Sequence, residues 1–363
     1  MINLAARQFV VGFAVGILML PGCNRKESVS LLNATLDGKN SYWVSGLPEE
    51  NGFDGDQLRG VVEEAEKLSN FYALIVIRNR KAIVERYFKG ATPDELYHIR
   101  SITKNFTSAL TGIAIEEKKL KGPDVNVKDY FPELLTGEKE SITVRHLLNI
   151  SSGLEWDEAT EILSFVENRV ANPIANVLSR PVMQTPGEKW NYNSITTHVL
   201  GRVVEKVTAT SLDKLAETKI FKPLGIEEYA WEKDPEGFAW GGYGLELKPE
   251  DLAKFGQLYL QKGKWEGAQV VPESWVAQSA AMQIENGAEG GGYSNQWWYA
   301  DMEADDEPIY YGLGYGGQGL VIIPHKNMVI VALQKHNVPS KRARDQSDSL
   351  VEKIARPIYE AIK

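Results

Sequence analysis

Residues 98–110 read His-Ile-Arg-Ser-Ile-Thr-Lys-Asn-Phe-Thr-Ser-Ala-Leu, and this stretch organises the rest of the chain. Apolar residues recur about one helical turn apart and predict a helix with one buried stripe: Ile102, Phe106, Leu110 and Ile113. On such a helix Ser101 and Lys104 lie on the same face, which brings the lysine amine near the serine hydroxyl. An unprotonated lysine can take the proton of a serine and so make it a nucleophile. The pattern predicts a nucleophile and its base, although S-x-x-K alone is also typical of an ordinary helix with a surface lysine.

Composition and charge narrow the function classes. The 363 residues carry a formal net charge of −9, and 43% of them are hydrophobic. No block of lysine and arginine is present, so a nucleic acid is not an expected partner. The single cysteine cannot form an internal disulfide, and the five histidines lack metal-ligand spacing. We therefore expect neither a metal nor another cofactor.

The first residues of the chain predict export and anchoring. Residues 9–20 form an uncharged apolar run that is too short to span a membrane and fits a secretory signal. Leu20-Pro21-Gly22-Cys23 resembles the bacterial lipoprotein box, with an unusual proline. We expect residues 1–22 to be a signal peptide, Cys23 to carry lipid and residues 23–47 to form a tether. The protein would then be held on a membrane of the bacterial cell envelope, facing the periplasm. A plain signal peptide with an incidental cysteine is the alternative.

The two ends of the chain together predict one antiparallel sheet. Residues favouring strands occur at 71–77, 82–88, 296–299, 309–311, 319–323 and 328–333. An amphipathic helix precedes the first strand and another follows the last, so both are expected to cover the sheet. We expect one α+β domain over residues 48–363, with a sheet part (48–100 and 241–363) and an inserted, mostly helical part (101–240). The active site would lie in the cleft between these two parts.

Further motifs follow S-x-x-K in a fixed order. Residues 186–194 read Pro-Gly-Glu-Lys-Trp-Asn-Tyr-Asn-Ser and form a turn and a loop that end before a predicted helix. Residues 147–154, 241–252 and 313–318 add supporting segments. Together these pieces resemble the serine β-lactamase-related hydrolases, which include class C β-lactamases, D-alanyl-D-alanine carboxypeptidases, esterases and 6-aminohexanoate-dimer hydrolases. The resemblance spans about residues 48–363 and implies the β-lactamase/transpeptidase-like α+β fold.

The resemblance also implies a role for each residue of the site. Ser101 would attack a carbonyl and form an acyl-enzyme, while Lys104 and Tyr192 would share the general base and acid work. Both groups have reference pKa values near 10, so the site must lower at least one of them, and which acts first stays open. The backbone N–H groups of Ser101 and Tyr315 would form the oxyanion hole. Four residues are expected to support the site: Asn193, Ser194, Leu313 and Gly314.

Two departures from the family pattern bear on the substrate. Ser194 stands where Tyr-x-Asn places an asparagine, and a hydroxyl has a shorter reach than an amide. Gly312-Leu313-Gly314 stands where a lysine- or histidine-x-glycine segment is expected, and that missing cation would bind a substrate carboxylate. Such a loss costs about 1.5–3 kcal/mol. We therefore expect a small ester or amide substrate without a strongly recognised carboxylate. The alternatives are a β-lactamase or D-amino-acid peptidase, and a catalytically silent cell-envelope binding protein.

Overall fold

The computed structural model describes residues 42–288, 291–302 and 307–363. The predicted signal peptide, the predicted lipid-attachment residue Cys23 and the tether up to residue 41 lie outside these ranges. Within the described ranges, no helix combines the length and the hydropathy that crossing a membrane requires.

A nine-stranded sheet forms the centre of the described structure. The strands, in chain order, are β1 (Val44–Ser45), β2 (Phe71–Arg78), β3 (Lys81–Tyr87), β4 (Tyr97–His98), β5 (Ala230–Trp231), β6 (Leu245–Leu247), β7 (Lys264–Trp265), β8 (Ala268–Gln269), β9 (Ile284–Glu285), β10 (Gly291–Ser294), β11 (Trp297–Met302), β12 (Glu307–Gly314), β13 (Gln318–Ile323) and β14 (Met328–Gln334). The order in the large sheet is β1-β3-β2-β14-β13-β12-β11-β10-β9. Its neighbours are antiparallel except for β1 with β3, so the predicted antiparallel sheet is confirmed with one parallel edge. Because β2 pairs with β14, the two ends of the chain meet in the middle of the sheet.

Helices cover both faces of this sheet. In chain order they are α1 (Gly55–Lys67), α2 (Thr103–Glu116), α3 (Val144–Leu148), α4 (Glu158–Val166), α5 (Pro173–Ser179), α6 (Ser194–Thr208), α7 (Leu212–Ala216), α8 (Lys222–Leu224), α9 (Pro249–Leu260), α10 (Glu273–Ser279), α11 (Ser340–Ser349) and α12 (Arg356–Glu360). π-helical turns at Glu217–Phe221 and Leu350–Ala355 continue α7 and α11. Small sheets form from β4, β6 and β5 and from β7 and β8.

Two hydrophobic clusters lie on the opposite faces of the large sheet. The first contains the helices at the chain ends, with Leu58 of α1 and Ile354 and Ile358 of the last helical segment against β2 and β14. This confirms that the terminal helices cover the sheet. The second cluster packs α2, α6 and α9 against the other face, where the rings of Phe106 and Phe255 stack with centroids 3.8 Å apart. The second cluster is the one that positions the site.

Helix α2 is buried on all sides rather than along one stripe. Residues 103–114 are all buried because α6 and α7 pack against the helix, while Phe255 of α9 and Trp275 of α10 lie on its other sides. Its polar side chains find partners there: Thr107 donates to the Gly241 carbonyl at 2.7 Å, and Asn105 donates to the Gln296 carbonyl at 2.9 Å. The apolar periodicity therefore identified the helix but underestimated its burial, because hydrogen-bonded threonine, serine and asparagine residues are also buried here.

Candidate active site

Ser101 lies in a short 3₁₀ turn, Arg100–Ile102, that leads from β4 into α2. The turn begins with a left-handed residue, since Arg100 has a φ of 52°, which is uncommon for a residue with a side chain. The Arg100 N–H donates to Nδ1 of buried His98 at 3.0 Å, which helps to hold this conformation. Such backbone strain persists where the surrounding structure enforces it, and it is concentrated at functional sites. Ser101 itself is only partly buried, so its hydroxyl is held in place yet accessible.

Lys104 carries the amine that the sequence predicts to lie near Ser101. The side chain is almost fully buried, at 1% exposure. Among the described residues, Nζ contacts three oxygens: Ser101 Oγ at 3.0 Å, Ser194 Oγ at 2.9 Å and the Gly242 carbonyl at 2.8 Å. Burial lowers the pKa of Lys104 to about 7, although the nearby charge of Glu158 acts in the opposite direction. An amine with this pKa is partly uncharged at neutral pH and can accept a proton.

Tyr192 lies next to the same amine. Lys104 Nζ is 4.9 Å from the centroid of the Tyr192 ring. Burial and the charge of Glu158 raise the pKa of the Tyr192 phenol, while hydrogen bonding to Ser101 and Ser194 opposes the increase. The phenol therefore keeps its proton at neutral pH. The structure thus brings together the three residues that the sequence predicted as catalytic.

The two residues after Tyr192 have different tasks. Asn193 caps α6, because its Oδ1 accepts the N–H groups of Ile195 at 2.9 Å and Thr196 at 3.1 Å. Its side chain serves the helix rather than the lysine. Ser194, the first residue of α6, is 1% exposed and presents its hydroxyl to Lys104. The serine that replaces the expected asparagine is therefore in direct contact with the amine.

Glu158 is a member of the site that the sequence analysis missed. Its Oε1 accepts the hydroxyl proton of Ser194, and its Oε2 accepts the Ser194 backbone N–H at 3.0 Å. The same Oε2 accepts the indole N–H of Trp156 at 2.7 Å. The carboxylate thus lies at the N-terminus of α6, where a negative charge is favoured. No short-range signal could reveal this pairing, because 36 residues separate Glu158 from Ser194.

Paired glycines bring a backbone carbonyl to Lys104. A Cβ atom on Gly242 would lie 2.3 Å from the Ser194 carbonyl oxygen, and one on Gly241 would lie 2.7 Å from the Thr197 carbonyl oxygen. Only glycine lets this segment approach the first turns of α6 so closely. Buried His198 supports the segment, since its Nδ1 accepts the Gly241 N–H at 3.2 Å while its Nε2 lies 2.9 Å from Asp234 Oδ2.

The glycine-rich end of β12 lies beside the turn that carries Ser101. A Cβ on Gly312 would lie 2.5 Å from Asn105 Oδ1, and one on Gly314 would lie 2.5 Å from the Ile99 carbonyl oxygen. A lysine or histidine at position 312 would therefore have to displace Asn105. Leu313 packs against the cluster formed with the terminal helices. Tyr315 follows Gly314, with its ring exposed and its hydroxyl donating to the Val338 carbonyl at 2.9 Å.

Aromatic rings form a wall beside Tyr192. Trp298 stacks on Tyr192 with centroids 5.6 Å apart and a 22° angle between the rings, and Trp190 lies 5.4 Å from Trp298. Tyr293 and Tyr311 extend the group. The preceding residue, Trp297, is fully buried in the core. Adjacent residues of a strand face opposite sides of the sheet, and Trp298 is the one of this pair that lies beside the site.

Comparison with known proteins agrees with this fold and arrangement. A family model described as Beta-lactamase matches residues 58–353, and the chain therefore belongs to the Beta-lactamase family. A 6-aminohexanoate-dimer hydrolase from Paenarthrobacter ureafaciens is 26% identical over 293 residues, covering 74% of each protein. The resemblance that the motifs indicated is confirmed.

Solved structures share the fold at low sequence identity. An octameric penicillin-binding protein homologue from Pyrococcus abyssi has a TM-score of 0.65 at 22% identity, over 82% of this chain and 77% of that one. A D-alanine carboxypeptidase AmpC from Burkholderia cenocepacia has a TM-score of 0.63 at 17% identity, over 84% of this chain and 97% of that one. At such identities these two likenesses establish the fold alone.

Proposed function

We propose that this protein is a serine hydrolase that cleaves an ester or amide through an acyl-enzyme on Ser101. The observation that carries the proposal is the buried amine of Lys104, which lies 3.0 Å from the Ser101 hydroxyl and has a pKa of about 7. A base whose pKa is near the working pH is suited to proton transfer. Membership of a family that includes a named hydrolase supports the same reading.

In the first half of the reaction, Ser101 Oγ bonds to the substrate carbonyl carbon while its proton passes to Lys104. The carbonyl oxygen becomes an oxyanion, for which the backbone N–H groups of Ser101 and Tyr315 are the proposed donors. The bond to the leaving alcohol or amine then breaks, and that group takes a proton from Tyr192, which Lys104 reprotonates. Tyr192 suits this acid role because its raised pKa keeps the phenol protonated.

In the second half, water releases the acyl group. Lys104, uncharged again, takes a proton from the water as its oxygen bonds to the acyl carbon. Ser101 then leaves as the hydroxyl, recovering its proton, and the carboxylic acid product departs. Each proton that Lys104 accepts is thus returned within the same cycle.

The surroundings of the nucleophile favour a substrate with an uncharged acyl or leaving group. Position 312, where a carboxylate-binding cation is expected, is a glycine packed against Asn105. The aromatic wall of Trp190, Tyr192 and Trp298 offers apolar contact instead. The relative from P. ureafaciens is named for hydrolysis of a 6-aminohexanoate dimer, and we extend from that name only the proposal that amides are among the substrates.

The test uses the full chain, purified in detergent, together with Ser101→Ala, Lys104→Ala and Tyr192→Phe. Each protein is treated with a fluorophosphonate probe and, separately, with a fluorescent penicillin. We expect probe labelling that requires Ser101 and Lys104 and little penicillin labelling. Strong penicillin labelling dependent on Ser101 would instead identify a β-lactamase or D-amino-acid peptidase. No labelling by either reagent would favour a catalytically silent binding protein.

We also propose that Cys23 anchors the protein by lipid to a membrane of the cell envelope, on the support of the sequence motif alone.

A further inference from the structure

The hydrogen bonds around Lys104 constrain where its proton-accepting electron pair can point. A neutral amine has two N–H donors and one lone pair, whereas an ammonium has three donors. Of the oxygens that the described residues place around Nζ, the Gly242 carbonyl can only accept, so one N–H is directed to it at 2.8 Å. The other two neighbours are the hydroxyls of Ser101 and Ser194, each of which is able to donate or accept. The direction of the lone pair therefore depends on which way the Ser194 hydroxyl points.

Glu158 decides the direction of that hydroxyl. A carboxylate can only accept, and Glu158 Oε1 accepts from Ser194 Oγ. Ser194 has one hydroxyl proton. Because that proton forms the hydrogen bond to Glu158, the Ser194 oxygen can only accept a hydrogen bond from Lys104. The second amine N–H is then directed to Ser194 at 2.9 Å, and the lone pair is left facing Ser101 Oγ.

We propose that Glu158 is a positioning residue for catalysis. By accepting a hydrogen bond from the Ser194 hydroxyl, it directs the lone pair of neutral Lys104 at Ser101. This inference rests on the proposed serine hydrolase function and deepens it. It also explains how a serine works where the family pattern has an asparagine. An amide carbonyl accepts from the lysine without help, whereas a hydroxyl needs a partner that fixes its direction.

The charge of Glu158 adds a measurable signature. It raises the pKa of Lys104, so its removal should shift that pKa downward. The other titratable groups around this pair are Tyr192, Tyr243 and Tyr293, and burial raises the pKa of each phenol. They stay uncharged near neutral pH, so the acid limb should report the titration of Lys104 and its displacement when the charge of Glu158 is removed.

Replacing Glu158 with glutamine should reverse the hydrogen bond to Ser194. The position of Oε2 accepts two N–H groups, from Ser194 and Trp156, so the amide oxygen of the introduced glutamine is expected there. The amide nitrogen would then occupy the position of Oε1 and donate to Ser194 Oγ. The Ser194 hydroxyl would turn its proton toward neutral Lys104 and occupy the lone pair that Ser101 needs.

The experiment measures the rate of fluorophosphonate labelling of Ser101 from about pH 5 to 9, where this base titrates, on the full-length protein. For Glu158→Gln we expect the plateau rate to fall by about 10- to 100-fold and the acid limb to move to lower pH. Glu161→Gln is the matched control on α4, because half-buried Glu161 pairs with Arg180 and accepts the Asp157 N–H instead of bonding to Ser194. It should leave both the plateau and the limb unchanged. Glu158→Asp, which keeps the charge, should keep the acid limb near its native pH.

Ser194→Ala tests the relay through a second residue. Ser194→Ala should also lower the plateau rate of labelling. Adding Glu158→Gln to Ser194→Ala should reduce that rate by a smaller factor than Glu158→Gln does in the wild-type protein. A native pH profile for folded Glu158→Gln, or a native rate for Ser194→Ala, would overturn the inference while leaving the hydrolase proposal intact. If native protein is not labelled at all, the proposed function fails, and the inference fails with it.

Discussion

Lys104 is a residue whose burial opposes folding and serves the proposed chemistry. An exposed lysine is solvated and charged at neutral pH. The amine of Lys104 is instead removed from solvent and enclosed among Ser101, Ser194 and Gly242. Desolvation lowers its pKa to about 7. The protein therefore sacrifices stability at neutral and acid pH to keep an amine that can lose its proton.

This cost predicts a distinct dependence of stability on pH. Between pH 7 and about 10, the unfolded chain still binds a proton on Lys104 while the folded protein does not. Raising the pH through this window therefore stabilises the folded protein. The free energy of unfolding of wild type, minus that of Lys104→Met, should rise by about 1.4 kcal/mol per pH unit across this window. Urea unfolding of both proteins across this window measures the difference.

Below pH 7, Lys104 carries its proton in both the folded and the unfolded wild-type protein. The difference in free energy of unfolding between wild type and Lys104→Met should therefore become constant. Relative to wild type, the free energy of unfolding of Lys104→Met should be most favourable in this range. Part of that gain is offset because the substitution leaves the Gly242 carbonyl without its hydrogen bond from Lys104. A difference that stays flat from pH 7 to about 10 would contradict the lowered pKa, because linkage requires a slope there.

Contacts between residues close in the chain could be predicted from the sequence, and contacts between distant residues could not. Ser101 and Lys104 are three residues apart on one helix, so their contact could be predicted from spacing alone. Leu313 and Asn193 were predicted to support the site, but Leu313 packs with the terminal helices and Asn193 caps α6. Glu158 could not be predicted, because its partner is distant in the chain.

Among the structural elements, the segment at Gly241–Gly242 joins α2 to α6. The Gly242 carbonyl accepts from Lys104 of α2, while its Cα lies against the backbone of Ser194 at the start of α6. His198, on the next turn of α6, holds the same segment through the Gly241 N–H. The position of the Lys104 amine thus depends on how closely this segment and α6 approach each other.

Gly242→Ala should separate these elements. The new Cβ would lie 2.3 Å from the Ser194 carbonyl oxygen, which is a backbone atom and cannot rotate away. We expect a loss of about 1–3 kcal/mol in the free energy of unfolding and a labelling rate at Ser101 that falls at least about 10-fold. Chemical denaturation and fluorophosphonate kinetics measure the two effects.

Gly60→Ala is the matched control for this substitution. Gly60 lies in α1, and a Cβ there would meet nothing within 4 Å. Alanine should therefore stabilise the helix by about 0.5–1 kcal/mol and leave the labelling rate unchanged. Wild-type kinetics in Gly242→Ala would show that the close approach is not needed for activity.

Regular elements were predicted well where their pattern is local. The strands β2, β3 and β11–β14 correspond to the predicted runs because their residues favour strands. The burial of α2 on every side was not evident, because threonine and asparagine read as polar in a periodicity and only their buried partners reveal otherwise.

At the level of the whole molecule, the site is assembled from segments far apart in the chain. The turn at Ser101, the carboxylate of Glu158, the loop ending at Ser194 and the carbonyl of Gly242 meet around one amine. Pairing of β2 with β14 joins the early and late strands of the chain into one sheet. The arrangement therefore requires the complete fold, and no excised segment is expected to retain it.

The proposed lipid anchor also concerns the whole molecule. Cys23→Ala should release the protein from the membrane fraction, because the acyl chains that hold it would have no attachment point. Fractionation of cells that express the two forms, with immunodetection, measures the distribution. Ser101→Ala is the control and should stay with the membrane. Unchanged retention of Cys23→Ala would refute attachment at this residue.

Local patterns in the chain predicted the antiparallel sheet, the strands β2, β3 and β11–β14 and the proximity of Ser101 to Lys104, whereas Tyr192 and the family fold were predicted from the resemblance of the ordered motifs. Those features arise from periodicity, turn residues and motif order, which act over a few residues or are preserved along the chain. Only the tertiary structure decided that Gly242 contacts Lys104, that Glu158 reaches the amine through Ser194, that Trp298 rather than Trp297 lies beside Tyr192, and that Asn105 packs against Gly312. These outcomes depend on burial and close packing between distant segments, and it is burial among them that turns an ordinary lysine into a base near neutral pH.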